Sequence, residues 1–419
     1  MVCYNDKLIE LEVVIMYRGL RKEIYILCFG RFVTAMGSLI WPMLTLILKS
    51  KLGYDAVQVA RWFLIFGLIQ IPFNLLSGKL TDNYNKRNLI VIFDLMSVTM
   101  YIITAFLPLS TTSICIYYMG SVFQHMEIPA YDALIAELTT DHDRERAYSL
   151  HYLSNNLGVV FAPTLGGLLF ENYLWMSFLL AGLAVFSSTT LIFFLIPKHI
   201  DKVNNTNTYE EKASGSLFHM LRSRKILLVY MMICCVASMV YAQFNYLLPI
   251  QMDEMFLNRG AMYFGMLTSI NGAVVIICTP ILTRMTLKWH DLKRYILGIF
   301  LEITGICSYF FYRDELILYM MSMIVFTLGE VMHTLGNSPY ISKRIPDSHR
   351  GRYNSVNNII INMSSSVGNA VVGNVIILYT FRESWILVFG VGIILMGMLF
   401  VYQRFDRKYF HLLYDKKDL

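Results

Sequence analysis

PKHIDKVNNTNTYEEKASGSLFHMLRSRK, residues 197–225, is the one long polar stretch in an otherwise apolar chain. Before it lie six long apolar runs, near 23–48, 57–78, 88–108, 112–136, 148–170 and 173–196. Six more follow, near 226–250, 261–284, 295–312, 316–340, 354–379 and 384–403. Such boundaries are good to about three residues. A helix crossing the ~30 Å hydrocarbon core needs ~20 apolar residues, and the runs match that length. The polar stretch therefore divides the chain into an N-terminal bundle of six spans (1–196), a linker (197–225) and a C-terminal bundle of six spans with a polar tail (226–419).

The composition agrees. Of 419 residues, 56% are hydrophobic and 15% charged, against ~25% charged in soluble domains. The mean hydropathy is +0.52. A water-exposed surface cannot be covered with so few polar groups, whereas a bilayer requires an apolar exterior. The first run follows Arg18, Arg21 and Lys22. It is too long for a signal-peptide core and reads as an uncleaved first helix.

The charge of +6 points to nucleic acid only if its placement is ignored. Of 35 Lys and Arg, 28 fall in the N-terminus, the even-to-odd loops, the linker and the C-terminus. The opposite loops and the adjoining run ends hold six, Arg61 near the outer end of run 2 among them, and Arg31 alone lies deep within a run. Alternation with every crossing is the positive-inside pattern. It predicts both termini on the cytoplasmic side of the cell membrane and no nucleic-acid partner. The seven cysteines form no C-x-x-C pair and mostly sit in apolar runs, so they read as small buried hydrophobes. No metal site or cofactor is expected.

The halves repeat weakly. Asp141, Arg144, Arg146 and Ser149 match Asp347, Arg350, Arg352 and Ser355 at an offset of 206. Lys86-Arg87 matches Lys293-Arg294, and Pro42 matches Pro249, at an offset of 207.

Between runs 2 and 3 the chain reads Gly78-Lys79-Leu80-Thr81-Asp82-Asn83-Tyr84-Asn85-Lys86-Arg87. This resembles the loop signature G-x-L-x-D-x-x-x-[KR]-[KR] of the major facilitator superfamily. Run 5 holds Gly158-Val159-Val160-Phe161-Ala162-Pro163-Thr164-Leu165-Gly166-Gly167. It is similar to the G-x-x-x-G-P-x-x-G-G signature of that family's drug:proton antiporters, with Ala162 in place of one glycine. The chain thus resembles the twelve-span multidrug efflux group. The resemblance implies an all-α membrane protein of 12 transmembrane helices in two pseudo-symmetric six-helix bundles, with a substrate site between them near the midplane. It also implies a gating latch: Asp82 at a helix end, and Lys86 and Arg87 pairing with acids such as Asp132 or Glu137. Gly78 would allow close helix approach. Residues 158, 162 and 166 are four apart and share one helical face, which admits a neighbouring helix; Pro163 would bend the span. Run 4 lacks the arginine that many proton antiporters of the family carry, and the E-x-x-E-R signature of peptide symporters is absent from run 1.

An ionisable group at bilayer depth costs at least ~2.5–3.5 kcal/mol on insertion scales, so each needs a partner, water or a purpose. The candidates are Arg31, Asp94, Glu127, Asp132, Glu302, Glu330 and His333. Glu330 and His333 are three apart, on one face, and correspond to Gln124 and Glu127 at the 206 offset. Glu330 lies about 15 residues, or about 22 Å, from the outer end of run 10. If the family's arrangement holds, Arg31, Gln124, Glu127, Glu330 and His333 face the central cavity. Glu330 would then bind a cationic or polar substrate when ionised and release it when protonated, with His333 sharing the proton. Arg31 reads as a structural partner of Glu127 or Asp94, or as a site for an anion. Asp94 and Glu302 are expected to be peripheral, pairing with loops. Trp41, Tyr241, Gln243, Asn245 and Tyr246 are candidates for pocket lining.

Two readings share this fold: a proton-coupled exporter of drugs or amphipathic molecules, and a transporter of one solute such as a sugar, an organic anion or a siderophore. An enzyme is not expected, because no H-E-x-x-H, paired-aspartate or G-x-S-x-G constellation occurs, and no P-loop supports ATP-driven pumping. The expected partners are a small-molecule substrate, protons and the lipid bilayer, with the chain a monomer.

Overall fold

A computed structural model describes residues 19–198, 225–286, 288–311, 315–344, 347–410 and 414. Helices fall on all twelve apolar runs, and no strand occurs among the described residues. The first unbroken helices are α1 (Lys22–Met36), α2 (Ala56–Asn83) and α3 (Lys86–Phe106). Next come α4a (Thr111–Met126), α4b (Ile128–Leu138), α5 (Asp141–Leu169) and α6 (Leu174–Leu195). After the linker come α7a (Lys225–Tyr241), α7b (Leu247–Phe256), α8 (Gly260–Thr286) and α9 (Asp291–Cys307). The last are α10 (Leu316–Arg344), α11 (Asp347–Leu378) and α12 (Phe381–Tyr409). Nine helical spans among the described residues are long and apolar enough to cross a membrane. Run 1, run 4 and run 5 are not among them: run 1 is interrupted after Met36, run 4 at Glu127, and α5 carries the polar residues His151, Ser154, Asn155 and Asn156.

The ends are set by local chemistry. Asn85 caps α3 by accepting from the Asn88 amide, and Ser110 and Ser113 form a reciprocal capping box on α4a. The break at Glu127 follows from Pro129. Proline has no N–H for the His125 carbonyl, and its ring crowds that carbonyl, so the ladder opens one residue earlier. The Ser77 hydroxyl donates to the Met126 carbonyl at 2.5 Å, satisfying one of the oxygens released.

The described residues form two compact units. The first combines the chain up to Pro42 with the part beginning at Ile69; the second combines Met43–Leu68 with the part after the linker. The segment 43–68 therefore packs with the second unit, although the linker-based division groups it with the first half. In the first unit, Ile24, Leu27, Ile90, Leu134 and Ile192 make a core shared by α1, α3, α4b and α6. The Gly158/Ala162/Gly166 face of α5 lies against α1 and the segment that follows it: a Cβ at Gly158 would come within 2.5 Å of the Phe32 carbonyl oxygen, and one at Gly166 within 2.5 Å of that of Leu39. This is the close approach expected of that face. The helix runs unbroken through Pro163.

In the second unit, α9 and α10 share the most extensive interface. Their backbones touch through Gly298, Gly305, Gly329 and Gly336; a Cβ at Gly329 would sit 2.5 Å from the Glu302 amide nitrogen. Leucine at 329 is therefore expected to force the two helices apart and destabilise the protein by about 1–3 kcal/mol. A lowered thermal unfolding midpoint in detergent would show it; an unchanged midpoint would mean the interface is looser than described.

Candidate functional site

Charged and polar groups gather within the helices of each unit. In the first, the break in α4 places Glu127 against α1. Arg31 Nη1 lies 3.2 Å from Glu127 Oε1, and Arg31 Nε donates to Asn155 Oδ1 of α5 at 3.0 Å. Glu127 is 2% exposed, so this pair is shielded from water on its acidic side. Asp94 of α3, also 2% exposed, lies within electrostatic reach of Glu127 and Arg31 and accepts from the Thr189 hydroxyl of α6 at 2.7 Å. Asp94 is thus a member of the cluster rather than a peripheral group paired with a loop. The spacing to Glu127 is long-range, which a reading span by span misses.

Arg31 also lines a cavity of about 270 Å³ inside the first unit, together with Trp41, Tyr101, Gln124, His125 and Asn155. Gln124 Oε1 accepts from the Tyr101 hydroxyl at 2.8 Å, and the Trp41 ring centroid is 6.4 Å from that of His125. Of the residues expected here, Arg31, Gln124 and Trp41 reach the cavity. Glu127 lies behind Arg31.

In the second unit Glu330 of α10 accepts from two neutral donors. The Tyr241 hydroxyl reaches Oε1 at 2.9 Å, and the Asn271 amide of α8 reaches Oε2 at 2.6 Å. Asn271 also donates to the Thr327 hydroxyl at 3.0 Å, which fixes its orientation. Glu330 remains partly exposed. His333 does not bond Glu330; its Nδ1 is 2.9 Å from Glu302 Oε1, and Tyr295 packs edge-on against its ring. Glu302, like Asp94, is a partner inside the span and not a loop-pairing group. The close α9–α10 contact through Gly298 and Gly329 is what brings Glu302 and His333 into range.

The remaining expectations divide. Tyr241 sits at the Glu330 cluster. Gln243 and Tyr246 are fully buried and serve packing instead: Gln243 Nε2 donates to the Met239 carbonyl at 2.9 Å, and the Tyr246 hydroxyl donates to the Ala56 carbonyl. Asn245 is exposed, and its carbonyl accepts from the Thr45 hydroxyl at 2.7 Å. Lys86 Nζ lies 3.3 Å from Glu137 Oε1, so of the two acids expected on α4b Lys86 pairs with Glu137, while Asp132 is exposed. Arg87 does not pair with an acid of α4b; it donates to the Phe193 carbonyl and lies 5.0 Å over the Phe193 ring. A Cβ at Gly78 would meet nothing within 4 Å, so that glycine makes no close helix contact here. The side chain of Asp82 lies outside the described residues. Ala162, Pro163 and Gly167 are buried in α5.

Asn155, Thr189 and Asn271 were not singled out in the sequence. Their signal was a polar amide or hydroxyl inside an apolar run, which is as common in ordinary helix packing as in a site.

The sequence profile described as Major Facilitator Superfamily matches residues 27–369. The chain belongs to the major facilitator superfamily. A relative described as a "Na(+), Li(+), K(+)/H(+) antiporter" from Planococcus maritimus is 20% identical over 75% of this chain and 80% of its own length. The "Quinolone resistance protein NorA" of Staphylococcus aureus is 26% identical over 46% of this chain and 49% of its own. Among solved structures, a peptide transporter POT in complex with sulfate superposes with a TM-score of 0.74 at 16% identity, covering 93% of this chain and 95% of that one. This superfamily protein is therefore an all-helical, multi-pass membrane transporter and not an enzyme.

Proposed function

We propose that this transporter is a proton-coupled antiporter, exporting cationic or amphipathic small molecules by alternating access. The observation that carries the reading is Glu330: a carboxylate within a span, partly exposed, whose oxygens accept from the neutral donors Tyr241 and Asn271. Neutral donors orient the group without neutralising it. A proton or a cationic substrate can each supply the missing charge, and binding of one excludes the other. That competition is sufficient for exchange. Glu302 holds His333 beside this site, where an imidazole can share the proton. The similarity to a quinolone resistance protein and the small-residue face of α5 support export.

A second reading has the exchanged cation inorganic, which the similarity to a Na⁺, Li⁺, K⁺/H⁺ antiporter favours. Both are tested in one experiment. Everted vesicles holding an acid interior are loaded with a pH-sensitive dye, and the recovery of pH is followed after adding a quinolone, NaCl, LiCl or KCl. Recovery with the quinolone alone supports drug exchange, recovery with the salts supports the second reading, and recovery with none contradicts both. The charge pattern supports a cell-membrane location with cytoplasmic termini, and a monomer carries the complete set of groups.

The outer part of the cycle has its own test. Segment 43–68 is attached to α7b by a Lys49–Glu254 ion pair at 2.7 Å and by a hydrogen bond from Ser50 to Asp253. We expect this attachment to open during each cycle. Oxidative cross-linking of Ser50→Cys with Asp253→Cys should then stop transport, and a reductant should restore it. Full activity in the cross-linked protein would show that the attachment stays closed throughout.

A further inference from the structure

We propose that Asp94 and Glu127 form a carboxyl pair that holds one exchangeable proton inside the first unit, a protonation site separate from Glu330. The inference goes beyond the coupling role given to Glu330 and stands whether or not that role is correct.

Hydrogen counting leads to it. Both residues are 2% exposed, and each carboxyl lies within the other's electrostatic reach. Two ionised carboxylates offer only acceptors, so a buried pair of them needs a donor from elsewhere. The surrounding groups do not fill the gap. Glu127 Oε1 takes a proton of Arg31. The Thr189 hydroxyl has one hydrogen and two acceptors in reach, Asp94 Oδ2 at 2.7 Å and the Val185 carbonyl at 2.8 Å. Asp94 Oδ1 is buried with no hydrogen-bond donor at all. Charge counting agrees: one guanidinium faces two acids, so a proton on the pair brings the cluster to neutrality. The titratable groups facing the pair are Arg31 of α1, Tyr101 of α3, and His125 and Tyr131 of α4, while His151 of α5 faces Arg31.

The internal repeat sharpens the point. In the second unit the corresponding α9–α10 contact joins Glu302 to His333. There an imidazole supplies the donor. In the first unit a second carboxyl, Glu127, stands where His333 stands at the 206 offset, and the donor has to be an added proton. Exchange with water has a short route. Arg31 and Tyr101 each face the pair, and both line the 270 Å³ cavity.

Infrared difference spectroscopy of the purified full-length protein tests this without any transport assay. At neutral pH the wild type should show the carbonyl band of a protonated carboxylic acid, shifted in D₂O. Asp94→Asn and Glu127→Gln should each lose the intensity of one acid, because the remaining carboxylate then faces Arg31 alone. Glu330→Gln should keep that intensity. Should the first two variants not fold, Thr189→Val leaves both acids in place and should shift the band by removing a hydroxyl from Asp94. A band of unchanged intensity in Asp94→Asn and Glu127→Gln, or an unshifted band in Thr189→Val, would overturn the proposal.

Discussion

Replacing Glu330 by Gln is expected to reduce proton-gradient-driven transport to the level of protein-free vesicles while leaving the protein folded. Gln has nearly the same shape, and its amide oxygen can still accept from Tyr241 or Asn271, whose bonds to Glu330 are 2.9 and 2.6 Å long. The variant lacks only the charge and the titration. In the wild type, the ionised carboxylate binds the cationic substrate and the protonated one does not. Substrate affinity should therefore fall as pH is lowered through the titration of this group and rise as pH is raised. In Glu330→Gln the affinity should be weak and flat with pH. Substrate binding measured over a pH range checks the sign. An affinity in Glu330→Gln that tracks pH as the wild type's does would move the coupling to another group.

The second large effect concerns stability. Arg344 of α10 makes a two-pronged bond to Asp406 of α12, Nε to Oδ1 at 3.1 Å and Nη2 to Oδ2 at 2.8 Å, with side chains 4% and 0% exposed. The hydroxyls of Tyr340 and Tyr414 donate to the same carboxylate at 2.6 and 2.7 Å. Asp406→Ala removes the acceptor of four hydrogen bonds and strands a guanidinium in a buried site. Breaking one side of such a pair costs about 3–5 kcal/mol. A strongly lowered unfolding midpoint is expected, and replacing both partners together, as in Arg344→Met with Asp406→Leu, should recover much of the loss, since apolar packing often equals a buried pair. A double variant no more stable than Asp406→Ala would show that the tyrosine bonds, not the stranded charge, carry the cost.

How much of this was legible in sequence depends on the distance over which each signal acts. Span positions are local: an apolar run near 20 residues specifies a membrane helix wherever it occurs. The face of α5 was readable for the same reason, because Gly158, Ala162 and Gly166 recur at the helical period and need only some neighbour to receive them. The break at Glu127 has a local cause in Pro129, yet the apolar pattern of run 4 reads as one unbroken span over 112–136. Partner choice is non-local. Nothing near residue 94 or 302 in the chain says that Asp94 meets Glu127 or that Glu302 takes His333, leaving Glu330 to neutral donors. Buried tyrosine and glutamine are ambiguous in the same way, so Gln243 and Tyr246 read as pocket residues although packing claims them. The basic pair after α2 illustrates both cases: Lys86 pairs with an acid on α4b, while Arg87 donates to the Phe193 carbonyl.

Everything proposed for coupling requires water to reach Glu330 from each side of the membrane in turn. The direct measurement is thiol accessibility of Glu330→Cys, placed in a chain whose seven native cysteines are replaced. Right-side-out and everted vesicles are treated with a membrane-impermeant reagent under opposite pH gradients. Labelling from the cytoplasmic face under one gradient and from the outer face under the other is the expected result. A position that resists the reagent from both faces under both gradients would contradict the account.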